Sequence, residues 1–357
     1  MTLKTENIKK ILIIKISAIG DVLMATPAFH AVRKSFPWSR IYLLVGNWSK
    51  EIISSNPHID EIITIEDEVF FKPWKILSLL RFILRLRRLR FDMIIPLHRS
   101  FAFSLFSFLI GAPERVGFDE SRRNFFYTKR IATTPSMHEV DKYLQVVKSA
   151  GVRVNEIDKR MYIKIEESSF INEILDNYPV SEGDLTICIC PGGGINPKTK
   201  LPLKNWRIEK YAKLADELIG KFGSRVIVVG SKEEKFLGEE LKRLMRHKFI
   251  NLVGQTSIPD LAYLISRCQL FIGSDSAPMH IADAVGTRTI ALFGPTDSRV
   301  WGPYNKNNRI IKNELFCSPC YKNDGKPPKC STKECMESIM VDQVIEVIRS
   351  TIKMVPR

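Results

Sequence analysis

The stretch "KISAIGDVLMATPAFHAVRKSFP", residues 15–37, joins an apolar run to a helical pattern. The run Ile11–Ile16 is typical of a buried strand, and apolar residues recur at helical spacing from about Val22 to Ser35. A strand followed directly by a helix predicts an α/β fold with a parallel sheet. Gly20 and Asp21 stand at the junction. Asp21 is therefore either the cap of the new helix or a carboxylate exposed for chemistry.

The same alternation of short apolar strands and helices runs along the chain. The strand candidates are Ile11–Ile16, Arg40–Val45, Met93–Leu97, Leu185–Cys190, Arg225–Val229, Leu270–Ile272 and Thr289–Phe293, and helical patterns include Ile208–Phe222, Lys235–Met245 and Ile258–Ser266. The alternation restarts after a polar linker at 179–184. It predicts two Rossmann-like doubly wound domains, residues 1–180 and 181–340. A C-terminal helix within 341–357 can pack back on either domain, the N-terminal one included.

The charge and the apolar content of the chain indicate what kind of partner it binds. The chain has 357 residues and a formal net charge of +15, which favours nucleic acid, acidic lipid or a phosphorylated substrate. The N-terminus lacks the pattern of a signal peptide. The longest apolar run, from Phe101, has about half of the roughly 20 residues that a spanning helix needs. We therefore expect a cytoplasmic protein whose membrane contact is peripheral. Seven cysteines in a chain of this length do not indicate a disulfide framework.

Two segments of the C-terminal half are candidates for an anion site. In "LFIGSDSAPMHIADAVGTRTIALFGPTD", residues 270–297, a strand ends in small residues and a helix begins near Met279, so free amides can face a phosphate. The alternative is an ordinary turn with Asp275 or Ser276 as the N-cap. In "PGGGINPKTKLPLKNW", residues 191–206, a glycine cluster precedes several lysines without the spacing of a Walker A loop. These lysines either bind phosphate or are solvated.

A third segment, "VIVVGSKEEKF" at 226–236, places two carboxylates just after a strand. A carboxylate at that point can accept hydrogen bonds from ribose hydroxyls. Glu233 and Glu234 are the two candidates, and the alternative is a charged helix start.

Together these motifs resemble the family 9 glycosyltransferases, the ADP-heptose:lipopolysaccharide heptosyltransferases of Gram-negative bacteria. The resemblance rests on residues 15–37, on "PGGG" with "KTKLPLKNW", and on "GSDSAPMHIADAVGTRTIALFGPTD", with "GAPERVGF" at 111–118 as further support. It implies a GT-B fold, in which two Rossmann-like domains face an interdomain cleft. It also implies inverting transfer of a heptose from ADP-heptose to the lipopolysaccharide inner core, with a lipid A–Kdo acceptor on the N-terminal side and the donor on the C-terminal side.

The resemblance also implies roles for individual residues. Asp21 matches the catalytic base, with Ser17 and Gly20 shaping the acceptor side. The matches on the donor side are Thr199, Lys204, Glu233, Thr256, Asp275, Ser276, Ala277 and His280. Lys200 departs from the pattern of some members, which leaves the exact sugar open. The sequence contains no Asp-x-Asp motif of the kind that binds a metal, so we expect metal-independent transfer without a cofactor.

The basic segment 72–90, "KPWKILSLLRFILRLRRLR", has seven basic residues and no acidic one. It is a candidate for docking on the inner-membrane surface, for clamping the phosphates of the acceptor, or for a solvated helix face. Further candidates for binding a phosphorylated acceptor are Arg99, Arg115, Arg122 and Arg123.

Four late cysteines form a further motif, because Cys317, Cys320, Cys330 and Cys335 start with a C-x-x-C pair. They are either a zinc or iron–sulfur site or free thiols in a loop.

Three other functions remain as alternatives. A GT-B enzyme can use another sugar donor or a non-lipopolysaccharide acceptor. A non-catalytic nucleotide-sugar binder is disfavoured by the intact Asp21. Nucleic-acid binding is suggested by charge alone, and the sequence has no recognition module for it. We therefore expect no nucleic-acid partner.

Overall fold

The chain divides into two α/β units, Met1–Tyr162 and Ile163–Arg357. The computed structural model describes residues 8–66, 75–119, 125–155, 158–178, 185–193, 201–321 and 328–352.

The first unit is built on a parallel sheet whose strands have the order β3-β2-β1-β4-β5-β6. The strands are β1 (Lys10–Ile14), β2 (Arg40–Gly46), β3 (Glu61–Ile65), β4 (Met93–Pro96), β5 (Glu114–Phe118) and β6 (Lys129–Ile131). Ile11–Ile14 of the central β1 have no solvent exposure. Burial on both faces explains why these four residues are all apolar.

Four helices of this unit are α1 (Ile19–Ser35), α2 (Ile76–Arg88), α3 (Phe101–Ile110) and α4 (Glu139–Ser149). Helix α1 contains Pro27, which has no N–H to donate to Leu23 four residues earlier. The Thr26 hydroxyl donates to that carbonyl instead, at 2.7 Å, so the helix continues through the proline to Ser35. Helix α1 packs against α4, which brings residues more than 100 positions apart to the same face of the sheet.

The second unit repeats the topology, with the strand order β12-β11-β10-β7-β8-β9 and parallel pairing. Its strands are β7 (Thr186–Cys190), β8 (Arg225–Val228), β9 (Ile250–Asn251), β10 (Leu270–Ser274), β11 (Thr289–Leu292) and β12 (Arg309–Ile311). The flanking helices are α5 (Ser169–Asn177), α6 (Ile208–Phe222), α7 (Lys235–Leu244), α8 (Ile258–Ser266), α9 (Ala277–Val285), α10 (Ser298–Trp301), α11 (Glu334–Glu337) and α12 (Val341–Ile352).

The division between the units lies earlier than the position near 180 that the sequence suggested. Helix α5 precedes the first strand of the second sheet, yet it packs on α8. The Ser168 hydroxyl donates to Asp260 at 2.7 Å, and Tyr263 donates to Asn172 at 2.8 Å. These contacts place the helix in the second unit, and the polar linker at 179–184 lies outside the described residues.

The C-terminal helix α12 packs on α6 of the second unit. Its buried residues Val344, Ile345 and Ile348 join the hydrophobic core of that unit. Among the described residues, no helix combines the length and the apolar character needed to cross a membrane.

Candidate active site

Each sheet has one point at which the strand order changes direction, between β1 and β4 in the first unit and between β7 and β10 in the second. Loops that leave neighbouring strands there diverge to opposite faces of the sheet and open a crevice at the carboxyl edge, where ligands of such folds bind. The chain segments after these four strands carry most of the candidate residues. Each unit therefore has its own candidate site.

Asp21 lies beside the crevice of the first unit. Helix α1 begins at Ile19 with Ala18 in the N-cap position, so Asp21 occupies the first turn and is not the cap. The Ser17 hydroxyl donates to Asp21 Oδ2 at 2.8 Å, and Gly20 next to it is buried. The Asp21 side chain is 23% exposed. One carboxylate oxygen is thus fixed by Ser17, and the side chain still reaches solvent.

A buried lysine faces the other carboxylate oxygen. Lys15 follows β1 directly and is only 4% exposed, with its Nζ 4.0 Å from Asp21 Oδ1. The same Nζ donates to the Tyr143 hydroxyl at 2.7 Å. Burial lowers the pKa of Lys15, although Asp21 and Glu139 oppose that shift. Lys15 was not among the predicted site residues, and its place directly after an apolar run is its only distinguishing mark in the sequence.

Arg99 follows β4 and pairs with a buried carboxylate. Its Nη2 donates to both oxygens of Glu139, at 2.7 and 2.9 Å, and Lys142 donates to Glu139 at 3.1 Å. Burial alone would raise the pKa of Glu139, but Arg99 and Lys142 outweigh it and hold that pKa below its usual value. The Arg99 guanidinium also lies 4.8 Å from the centre of the Phe118 ring.

These groups carry an excess of positive charge. The connected set contains three cationic side chains and two carboxylates. Arg99 and Lys142 balance the two carboxylates, so the excess comes from Lys15, whose pKa is lowered by burial. Cationic groups of this kind favour an anionic ligand.

Arg115 makes a separate set of contacts. Its Nε donates to the carbonyl of Phe126 at 2.8 Å, and its Nη1 donates to the carbonyl of Ala112. Arg115 therefore stabilises the local loop structure. The other two predicted arginines, Arg122 and Arg123, lie outside the described residues.

In the second unit the loops that follow β7 and β10 meet at a glycine. Gly193 has a φ of +135°, and a Cβ at this position would lie 2.8 Å from Ser276 Cβ. Its N–H donates to Glu234 Oε1 at 2.7 Å. Only glycine combines this backbone conformation with this close approach.

Lys204 and Asp275 form an ion pair in this crevice. Lys204 ends a short 3₁₀ turn, and its Nζ donates to Asp275 Oδ2 at 2.7 Å. Asp275 Oδ1 lies 4.0 Å from His280 Nε2. Burial would raise the pKa of Asp275, but Lys204 and His280 outweigh it and lower that pKa. An ionised Asp275 repels a phosphate, so its contacts give it the role of orienting the Lys204 ammonium.

Ser276 occupies the N-cap position of α9, but its side chain does not cap the helix. The Ser276 hydroxyl donates to the Ser274 carbonyl at 3.1 Å, and α9 then starts with Ala277. The amides of the first helical turn are thus left without a side-chain cap and can bind an anion. Thr199, predicted near this point, lies outside the described residues.

The structure distinguishes the two glutamates after β8. Glu234 is buried, and its carboxylate accepts from the N–H groups of Ser231 at 2.8 Å and Gly193 at 2.7 Å. Glu233 is exposed, so its carboxylate remains accessible to solvent. Glu234 forms a capping box with Ser231. The Ser-x-x-Glu spacing in the sequence is the pattern that could have identified Glu234 as a structural residue. Thr256 is half-buried in the loop between β9 and α8.

The cysteines are all free thiols. Cys317 and Cys330 are exposed, Cys320 is half-buried and Cys335 is buried. Within the described part of the chain, no group of three or more His, Cys, Asp or Glu side chains is arranged to hold a metal ion. Of the two alternatives for the four late cysteines, a metal site and free thiols, the described residues thus provide no metal-binding cluster for the first.

Comparison with known proteins identifies the family. Residues 79–330 match the family model for glycosyltransferase family 9 (heptosyltransferase). The lipopolysaccharide core heptosyltransferase OpsX of Haemophilus influenzae is 28% identical over 97% of both chains.

Solved structures agree with this match. A family 9 glycosyl transferase from Veillonella parvula superposes with a TM-score of 0.80 at 24% identity, covering 97% of both chains. The Escherichia coli ADP-heptose lipopolysaccharide heptosyltransferase II superposes with a TM-score of 0.73 at 22% identity, covering 96% of this chain and 98% of the other. The predicted GT-B fold with two Rossmann-like units is thus confirmed. The chain belongs to glycosyltransferase family 9, the heptosyltransferase family.

Proposed function

We propose that the protein is an inverting glycosyltransferase that moves a heptose from ADP-heptose to the lipopolysaccharide inner core, with a phosphorylated lipid A–Kdo acceptor. The family match and the core heptosyltransferase activity for which the Haemophilus influenzae relative is named support the class of reaction. The observation that carries the proposal is the pair of switch-point crevices. One presents the Asp21 carboxylate and the other presents the Lys204 ammonium.

The donor would bind to the second unit. Lys204 and the uncapped start of α9 at Ser276 and Ala277 would bind the diphosphate. The exposed Glu233 would accept hydrogen bonds from the ribose, and Thr256 would line the adenine pocket. In this scheme Asp275 and His280 act through Lys204 rather than on the phosphates.

Transfer would proceed by a single displacement. The acceptor hydroxyl attacks the anomeric carbon, Asp21 takes the hydroxyl proton, and the bond between the anomeric carbon and the diphosphate oxygen breaks. ADP leaves with the extra negative charge, which Lys204 and the α9 amides stabilise. These groups perform the task that a metal ion performs in other transferases, so we propose metal-independent transfer.

The acceptor would bind to the first unit, where Ser17 and Gly20 flank Asp21. The positive excess around Lys15 and Arg99 suits the phosphates of such an acceptor. Because this acceptor is a lipid, we place the protein in the cytoplasm and on the inner face of the cytoplasmic membrane. The contact would be peripheral, through the basic segment 72–90, of which residues 72–74 lie outside the described residues.

A donor screen tests this proposal. Thermal shift and calorimetry with ADP-, UDP-, GDP- and CDP-linked sugars should show a preference for ADP-heptose. Lys204→Met serves as the variant that lowers binding of every nucleotide diphosphate. A preference for UDP or GDP would contradict the heptose assignment and favour a GT-B enzyme with another donor.

A further inference from the structure

The solvent-exposed surface of α2 carries an apolar stripe beside its arginines. Four apolar residues recur at helical spacing in this stripe, and all are exposed: Ile76, Leu77, Leu80 and Leu84. An adjoining side of the helix already packs into the core through Ile83 and Leu86. Core packing therefore does not explain the outer apolar stripe.

Helix α3 also exposes apolar side chains to solvent. Its serines, Ser104 and Ser107, are buried, whereas Phe101, Phe108 and Leu109 are exposed. A surface helix normally has the reverse arrangement, with polar residues towards water. The solvent side of α3 thus has no polar side chain at all.

The two apolar surfaces adjoin each other. Helices α2 and α3 are in contact, and Arg87 Nη1 donates to the carbonyl of Leu109 at 3.3 Å. Phe125, which is 63% exposed, extends the surface because its ring lies 5.9 Å from Phe101 and 4.5 Å from Phe126. We name the exposed apolar residues of α2 and α3, together with Phe125, the α2–α3 surface.

Cationic groups border this surface. Arg81, Arg85 and Arg88 are exposed on α2, and the segment 72–90 contains no acidic residue. The Arg115 guanidinium lies 5.5 Å from the centre of the Phe108 ring. A second copy docked face to face would bring these arginines against one another, which costs free energy. An anionic lipid surface supplies both the apolar layer and the negative charge.

We infer that the α2–α3 surface is a membrane-docking surface, whose apolar side chains enter the boundary between headgroups and acyl chains while the arginines of α2 bind lipid phosphates. This assigns those arginines to the bilayer rather than to the acceptor. It also adds α3 and Phe125 to the contact that the basic segment provides. The inference rests on the proposed function only in so far as the acceptor is a membrane lipid.

Vesicle co-sedimentation tests the inference, with full-length protein and without donor or acceptor. The protein should bind vesicles of phosphatidylcholine mixed with phosphatidylglycerol, and weakly those of phosphatidylcholine alone. Arg85→Glu should weaken binding about fivefold or more, and Leu77→Ser and Phe108→Ser about tenfold. Leu77 is 67% exposed, so its variant remains informative if Phe108→Ser folds poorly. Matched controls are Lys50→Glu and Trp38→Ser, which change exposed residues away from this surface.

Three outcomes would overturn the inference. One is vesicle binding that is unchanged in all three surface variants. Another is an Arg85→Glu variant that binds vesicles normally but has a raised KM for a soluble phosphorylated acceptor fragment, which would make the arginine an acceptor clamp. The third is concentration-dependent self-association that Leu77→Ser abolishes. Failure of heptose transfer would leave vesicle binding unaffected, so the two proposals fail independently.

Discussion

The Lys204 ammonium donates to Asp275 Oδ2 across 2.7 Å, and the two residues lie 71 positions apart in the sequence. Asp275 is buried, so its charge requires this partner. The same ammonium is the candidate phosphate ligand. Lys204 thus has a structural role in this ion pair and a proposed role in binding phosphate, and the two roles can be separated by experiment.

Lys204→Ala should weaken ADP binding by about 1.5–3 kcal/mol, because a hydrogen bond to a charged group is lost. It should also lower the free energy of unfolding by about 3 kcal/mol, since Asp275 stays buried without its counter-ion. Calorimetry with ADP and urea unfolding measure the two effects. The double variant Lys204→Met with Asp275→Asn should recover most of the stability and none of the affinity. Recovered ADP binding would show that Lys204 has a purely structural role.

Asp21→Asn should lower the transfer rate by about 10²–10⁴-fold, the usual contribution of a general base. The free energy of unfolding should fall by about 1 kcal/mol. The amide oxygen still accepts from Ser17, but the first turn loses a favourable charge and the buried Lys15 ammonium loses the carboxylate that faces it at 4.0 Å. ADP affinity should not change. Ser17→Ala is the control, since it removes the hydrogen bond and keeps the carboxylate. Near-normal turnover in the Asn variant would make Asp21 a structural residue.

Gly193→Ala should weaken ADP binding about tenfold, because the added Cβ would lie 2.8 Å from Ser276 Cβ and force the two loops apart. Gly286→Ala is the matched control. Gly286 also has a positive φ, of +84°, but a Cβ there meets nothing within 4 Å. The control should lose about 1 kcal/mol of stability with normal ADP affinity. Equal affinities in the two variants would mean that the contact with Ser276 does not matter for binding.

Glu139→Gln should destabilise the protein at neutral pH and remove part of its acid sensitivity. The pKa of Glu139 lies below 4.5 in the folded protein, so its ion pairs are fully stabilising above the unfolded value. As the pH falls below about 4.5, the unfolded chain binds the proton first and stability is lost. The difference in the free energy of unfolding between the variant and the parent protein should therefore become smaller as the pH falls. Glu173→Gln, at an exposed helix position, is the control.

Transfer should be insensitive to chelation. EDTA should leave the initial rate unchanged within about twofold, because Lys204 and the α9 amides, rather than a cation, stabilise the leaving diphosphate. Activity that is lost with EDTA and restored by magnesium or manganese would reveal a metal site.

The central strands of both sheets were predictable, because burial on both faces leaves uninterrupted apolar runs such as Ile11–Ile14. The strands β3, β5, β6, β9 and β12 were missed. These are short strands with charged or polar residues, and β3, β6, β9 and β12 lie at or near the sheet edges. Their pairing depends on the neighbouring strand more than on their own pattern.

Asp21 and Lys204 could be chosen as candidates from local motifs alone, and the structure places each of them after a strand at the switch point of its sheet. Their roles remain predictions. Lys15 could not be chosen in this way, because its partner Tyr143 lies 128 positions away and only the packing of α4 on α1 brings them together. The choice between Glu233 and Glu234 likewise needed the structure, since it depends on the contact of Glu234 with Gly193.

Each crevice is built from one half of the chain: Asp21 and Lys15 come from the first unit, and Lys204 and Asp275 from the second. A mutation that remodels one crevice therefore leaves the ion pairs of the other intact. Mutations can therefore change the ligand that each half binds in separate evolutionary steps. Recombination between related genes near the codons for Tyr162 and Ile163 would exchange one complete crevice in a single step. The two halves of one polypeptide can thus evolve their binding specificities separately.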